Sequence, residues 1–119
     1  MSLISTILTL LSALLFFYIF YLETLTTTSS KTSQVFGLSQ EVLKSKEFNV
    51  LMRNQGVYNA FIGFGLLYGT FFASHPKEVV GIFLVNIVVV AAYGAATSDK
   101  SILLKQGGLP ILTLISLLF

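Results

Sequence analysis

The sequence predicts an all-α fold, a bundle of four transmembrane helices with both termini outside the cell and a short cytosolic surface helix between the first and second spans. Of the 119 residues, 55% are hydrophobic and 10% charged, too little charge to cover the surface of a soluble domain. Apolar stretches recur at the length needed to cross about 30 Å of hydrocarbon. None alternates in the two-residue period of a membrane barrel. The chain, 1–119, therefore reads as a single membrane domain with the lipid bilayer as its solvent.

The first span is predicted over Leu3 to Leu22, a stretch without a charge. A cleaved leader is the weaker reading, because no basic segment precedes it and no small-residue cleavage pattern follows Glu23. Thr24 to Ser33 reads as a polar linker. Ser39 is a candidate N-cap for a mixed segment, Gln40 to Arg53, in which apolar residues alternate loosely with Lys44, Lys46 and Glu47. Gly56 to Ser74 forms the second span, His75-Pro76-Lys77-Glu78 a turn, and Val79 to Thr97 the third. After Ser98-Asp99-Lys100-Ser101, the fourth span runs from Ile102 to Phe119, with Gly107, Gly108 and Pro110 expected to bend its first turns.

Lysine and arginine set the orientation. The first connector holds Lys31, Lys44, Lys46 and Arg53, the second only Lys77, and the third Lys100 with Lys105 nearby. Positive residues gather on the cytosolic side, so the first and third connectors face the cytosol of a multi-pass cell-membrane protein. The net charge of +2 is a topology signal and not a nucleic-acid footprint. There is no cysteine, which removes disulfides and thiolate chemistry, and His75 has no neighbours in metal-ligand spacing. Nothing calls for a cofactor.

Polar groups inside apolar segments are costly unless partnered, and they mark the candidate site. In the first span Ser5, Thr9, Ser12 and Glu23 fall within about 60° of one another at 100° per residue. Gly65, Gly69 and Ala73 form one small-residue track on the second span and Gly56, Ala60 and Gly63 another, which lets helix backbones approach closely. Asn86 stands mid-span, where an amide usually joins helix to helix. In the predicted topology Glu23, Asn54, Gln55, Tyr58, Asn59, Tyr93, Thr97 and Gln106 all reach the cytosolic end, a candidate polar pocket.

Leu22-Glu23, Val35-Phe36-Gly37, the run from Asn54 to Phe61, Tyr93-Gly94-Ala95-Ala96-Thr97, and Gln106-Gly107 followed by Pro110 resemble the family called domain of unknown function 1304. Its members are small bacterial four-helix membrane proteins without an assigned activity. The specific part is Asn54-Gln55-Gly56-Val57-Tyr58-Asn59. Where the family often carries Met after the glutamate, an aromatic a few residues later and Ala after the proline, this chain has Thr24, Leu25 or Thr26, and Ile111. The resemblance implies the four-span fold in a bacterial membrane and no chemistry.

The function these residues suggest is binding or transport of a small solute or lipid headgroup, with a homodimer as one assembly. The alternative is a non-catalytic assembly subunit that docks another membrane protein on the Gly65 and Gly69 face. Enzyme activity is the weaker expectation: no phosphate-binding glycine loop or nucleophile elbow occurs, and the predicted topology puts His75 and Asp99 on opposite sides.

Overall fold

The computed structural model describes residues 1–119. All regular structure is helical: α1 Leu3–Phe20, continued by a π-helical turn Tyr21–Leu25, then α2 Ser30–Phe36, α3 Gln40–Lys44, α4 Lys46–Phe71, α5 Pro76–Thr97 and α6 Ser101–Ser116. Two helices are long and apolar enough to cross a membrane, Leu3–Leu25 and Pro76–Thr97, and α6 is a shorter apolar helix. The chain forms two compact units, Phe16–Ile62 and the remainder, Met1–Leu15 with Gly63–Phe119.

In the larger unit, α5 and α6 pack along one another across the short Ser98–Lys100 turn. Asp99 accepts the Ser101 backbone N–H at 2.9 Å, starting α6 and holding its own carboxyl below the usual carboxylate range. Pro110 does not end α6; the helix runs through it to Ser116. The buried surface combines Leu66, Val80, Leu84, Ile87 and Ala91 with hydroxyls and glycines. Ser5 and Ser116 lie 2.9 Å apart, and Ser12 and Thr113 3.1 Å apart, so the hydroxyl stripe of α1 meets one on α6. Gly65 takes the ring of Phe83, and a Cβ at Gly69 would come within 2.8 Å of Val80 Cγ2. The Gly65 and Gly69 face is thus occupied by α5 of the same chain.

The smaller unit departs from the sequence expectation in two places. The linker expected over Thr24 to Ser33 gives way at Ser30 to a helix, α2. Ser29 caps it by accepting the Thr32 N–H at 3.1 Å, and Gly37, with φ of 65°, closes it in the left-handed conformation that glycine tolerates. The surface helix expected from Gln40 to Arg53 is corrected as well. It ends at Lys44, Ser45 is extended, and Lys46 to Arg53 are the first turns of α4. Lys46, Glu47, Leu51, Met52 and Arg53 are good helix formers with no breaker before Gly56, so the helix propagates through the position where the second span was expected to begin.

Gly65 and Gly81 separate packing from propensity. Gly81 has open space around it, its nearest side-chain neighbour being Leu117 Cδ1 at 4.0 Å, whereas a Cβ at Gly65 would strike the Phe83 ring. Gly81→Ala is expected to hold or raise the thermal midpoint of the protein in detergent. Gly65→Leu is expected to lower stability by about 1–3 kcal/mol, measured by the same thermal unfolding.

Candidate functional site

The site lies within the unit Phe16–Ile62 and starts from the way α1 ends. At Tyr21–Leu25 the helix widens, with Thr26 N–H bonding Tyr21 O at 2.9 Å across five residues. A helix end leaves carbonyls without partners, and here threonine hydroxyls supply them. Thr27 Oγ1 donates to Glu23 O at 2.6 Å, while Thr32 Oγ1 lies 3.0 Å from Leu22 O and 2.7 Å from Thr26 O. Leu22 and Glu23 are held in the interior, Glu23 with 0% of its surface exposed.

A carboxyl group cut off from water needs donors, and α4 provides two. Gln55 and Asn59, four residues apart and hence on one helix face, donate to it. Gln55 Nε2 bonds Glu23 Oε2 at 2.8 Å and Asn59 Nδ2 bonds Oε1 at 2.6 Å, one amide for each oxygen. Gly56 stands between the two amides and makes the approach possible. A Cβ there would overlap Thr24 Oγ1 and come within 3.1 Å of Glu23 Cβ. Thr24 Oγ1 in turn donates to Arg53 O at 2.8 Å, a second link between the π turn and α4.

Outer contacts fix this arrangement. Gln40 Nε2 donates to Thr28 O at 2.9 Å, and Asn49 Nδ2 donates to Leu43 O at 3.1 Å. Leu43 is fully buried. The three threonines at positions 24, 27 and 32 went unnoticed in the sequence because a Ser/Thr-rich run without apolar periodicity reads as solvated chain. Their density just past the end of a long apolar helix is the signal that could have found them.

The remaining candidates are placed as follows. Gln55 and Asn54 are exposed on α4, Asn59 is half-buried, and Tyr58 is 74% exposed. Gly56, Gly63, Gly65 and Gly69 are buried and Ala60 half-buried. Tyr93, Thr97, Gln106 and Asn86 belong to the other unit. There Tyr93 and Thr97 are exposed, Thr97 Oγ1 donating to Tyr93 O of its own helix at 2.8 Å, and Gln106 is half-buried on α6. Asn86, the candidate for joining helix to helix, stands exposed on α5. No group of three or more His, Asp or Glu side chains is arranged to hold a metal ion.

Fold and site define an all-α protein with two helices of membrane-crossing length and a buried glutamate clamped by two primary amides. The chain belongs to the family described as Protein of unknown function (DUF1304), which matches residues 10–118. It is also similar to the uncharacterized protein YpaA of Lactococcus lactis subsp. lactis (strain IL1403), with 50% identity over 93 residues that cover 77% of this chain and 78% of that one. No solved structure matches it.

The contact between Gly56 and Thr24 is open to a double-mutant cycle. Gly56→Ala is expected to destabilise the protein by about 1–3 kcal/mol as its methyl group drives the Thr24 hydroxyl off Arg53 O. Adding Thr24→Ala removes the atom that is struck. Thermal unfolding of the double variant should show a loss smaller than the sum of the two single losses.

Proposed function

We propose that this chain is a four-span membrane protein, both termini outside, whose Glu23, Gln55 and Asn59 cluster binds a small polar solute or lipid headgroup at the cytosolic end of the bundle. The spans are α1, the apolar part of α4, α5 and α6. The length and apolarity of α1 and α5, the apolarity of α6, and the crowding of Lys and Arg in the first and third connectors support this arrangement.

The observation that carries the binding role is the direction of the amides. Each NH₂ group is turned to the carboxyl of Glu23. Each amide oxygen is then turned aside from it, and an amide oxygen accepts hydrogen bonds. Gln55 is exposed and can be reached. Two oriented carbonyl acceptors backed by a buried carboxyl suit a group rich in N–H donors, an ammonium head above all. Glu23 orients, and the amides make the contact.

Native mass spectrometry of the protein from nanodiscs tests this. Wild-type protein is expected to retain phosphatidylethanolamine, whose ammonium has N–H donors, in preference to phosphatidylcholine, which has none. Gln55→Leu should lose that retention at least tenfold while remaining folded. Displacement by free ethanolamine would identify a soluble ligand as the source of the chemistry. Equal retention by wild type and Gln55→Leu would overturn the reading.

The absence of native cysteine makes the topology directly measurable. Single variants Ser39→Cys and His75→Cys, treated in cells with a membrane-impermeant maleimide, are expected to differ. His75→Cys should react in intact cells, and Ser39→Cys only after permeabilisation.

A further inference from the structure

We infer that α5 is the contact helix of a parallel homodimer in which Asn86 of one copy pairs with Asn86 of the other. Asn86 lies at the middle of α5, ten residues past Pro76 and eleven before Thr97. Its side chain is exposed and has no hydrogen-bond partner within the chain. If α5 crosses the bilayer, that amide sits about 15 Å from either end of the helix, beyond reach of water for so short a side chain. An unsatisfied amide at that depth costs several kcal/mol.

The surroundings of Asn86 form a seam. Ile82, Asn86, Val89, Tyr93 and Ala96 follow one another at spacings of four, three, four and three, the 3.5-residue period of two helices wound together. All five are exposed, Ile82 at 65%, Val89 at 61% and Tyr93 at 72%. In this register Asn86 and Tyr93 take one core position of the heptad and Ile82, Val89 and Ala96 the other. A single asparagine at such a position fixes register and favours two strands.

The amide also identifies the occupant. It carries donor and acceptor together and is complementary to itself. Two copies inserted in the same direction, related by a twofold axis along the membrane normal, bring identical residues of α5 to the same depth. A lipid tail offers the amide nothing. A foreign helix would need a polar group placed at the matching height, whereas a second copy has one by symmetry.

This inference rests on α5 crossing the bilayer, part of the function proposed above, and is independent of the ligand cluster. Maleimide labelling at both ends of α5, with His75→Cys expected to react in intact cells and Ser98→Cys only after permeabilisation, tests that premise separately, so the two can fail apart. The direct test uses the full-length chain in its native membrane. Ile82→Cys and Val89→Cys are expected to give disulfide-linked dimers under mild oxidation, and Phe64→Cys on α4 none. In nanodisc or liposome FRET between labelled copies, Asn86→Leu should reduce the dimer at least tenfold, because apolar surface alone does not drive helices together in lipid. Asn86→Gln, which keeps the amide, should retain most of it. Undiminished association of Asn86→Leu, crosslinks at Phe64→Cys matching those at Val89→Cys, or linkage to a different protein in place of a second copy would each overturn the inference.

Discussion

A carboxyl group with no exposed surface is the constraint around which the unit Phe16–Ile62 is arranged. Glu23 needs a donor for each oxygen, and Gln55 and Asn59 supply one apiece at 2.8 and 2.6 Å. That demand fixes the rotation of α4, since two positions four apart lie on one face and can present both amides to one target. It also sets the distance of approach, since the residue of α4 that faces Thr24 must lack a side chain. Gly56 meets that need, and Thr24 bonds to Arg53 O in the narrow space that results. Removing a donor would leave a buried oxygen unpaired at a cost of about 1–3 kcal/mol.

The remaining residues, Met1–Leu15 with Gly63–Phe119, rely on a different principle. Burial of large side chains is limited there, and many of the largest apolar residues of the chain are exposed. Close packing comes instead from missing side chains and from paired hydroxyls. Gly65 lies under Phe83, a Cβ at Gly107 would stand 3.3 Å from Ala91 Cβ, and Ser5, Ser12, Thr113 and Ser116 bond across α1 and α6. Dispersion contacts and short polar bonds are the forces that hold helices together in lipid, the setting proposed for this unit.

The long apolar helices were legible because length and hydropathy are whole-segment properties that no single residue can mask. So was the pairing of Glu23 with the amide run, since an acid closing one apolar stretch and amides opening another need each other. What escaped was local. The helix α2 has no apolar period to reveal it, and depends on Ser29 and Gly37, two end signals inside a stretch that otherwise resembles linker. The charged turns of Lys46 to Arg53 resemble a separate surface helix because their charge interrupts the apolar stretch; nothing in their sequence stops the helix, and it runs on through Gly56. The π turn widens α1 where Glu23 sits, a shift that 100° per residue cannot anticipate.

Glu23 and Asn86 pose the same physical problem and receive opposite solutions. Both place hydrogen-bonding groups within long apolar helices, where a missing partner costs more than most packing interactions can offset. For Glu23 the chain provides everything: two amides for its oxygens and Thr27 for its carbonyl. For Asn86 it provides nothing, and it surrounds the exposed amide with a regular apolar seam. An internally satisfied group needs no partner to fold, so its surplus capacity, the amide oxygens, is available for a ligand. An unsatisfied group on a patterned face is costly only while the chain is alone, and in the proposed dimer association itself is the step that satisfies it.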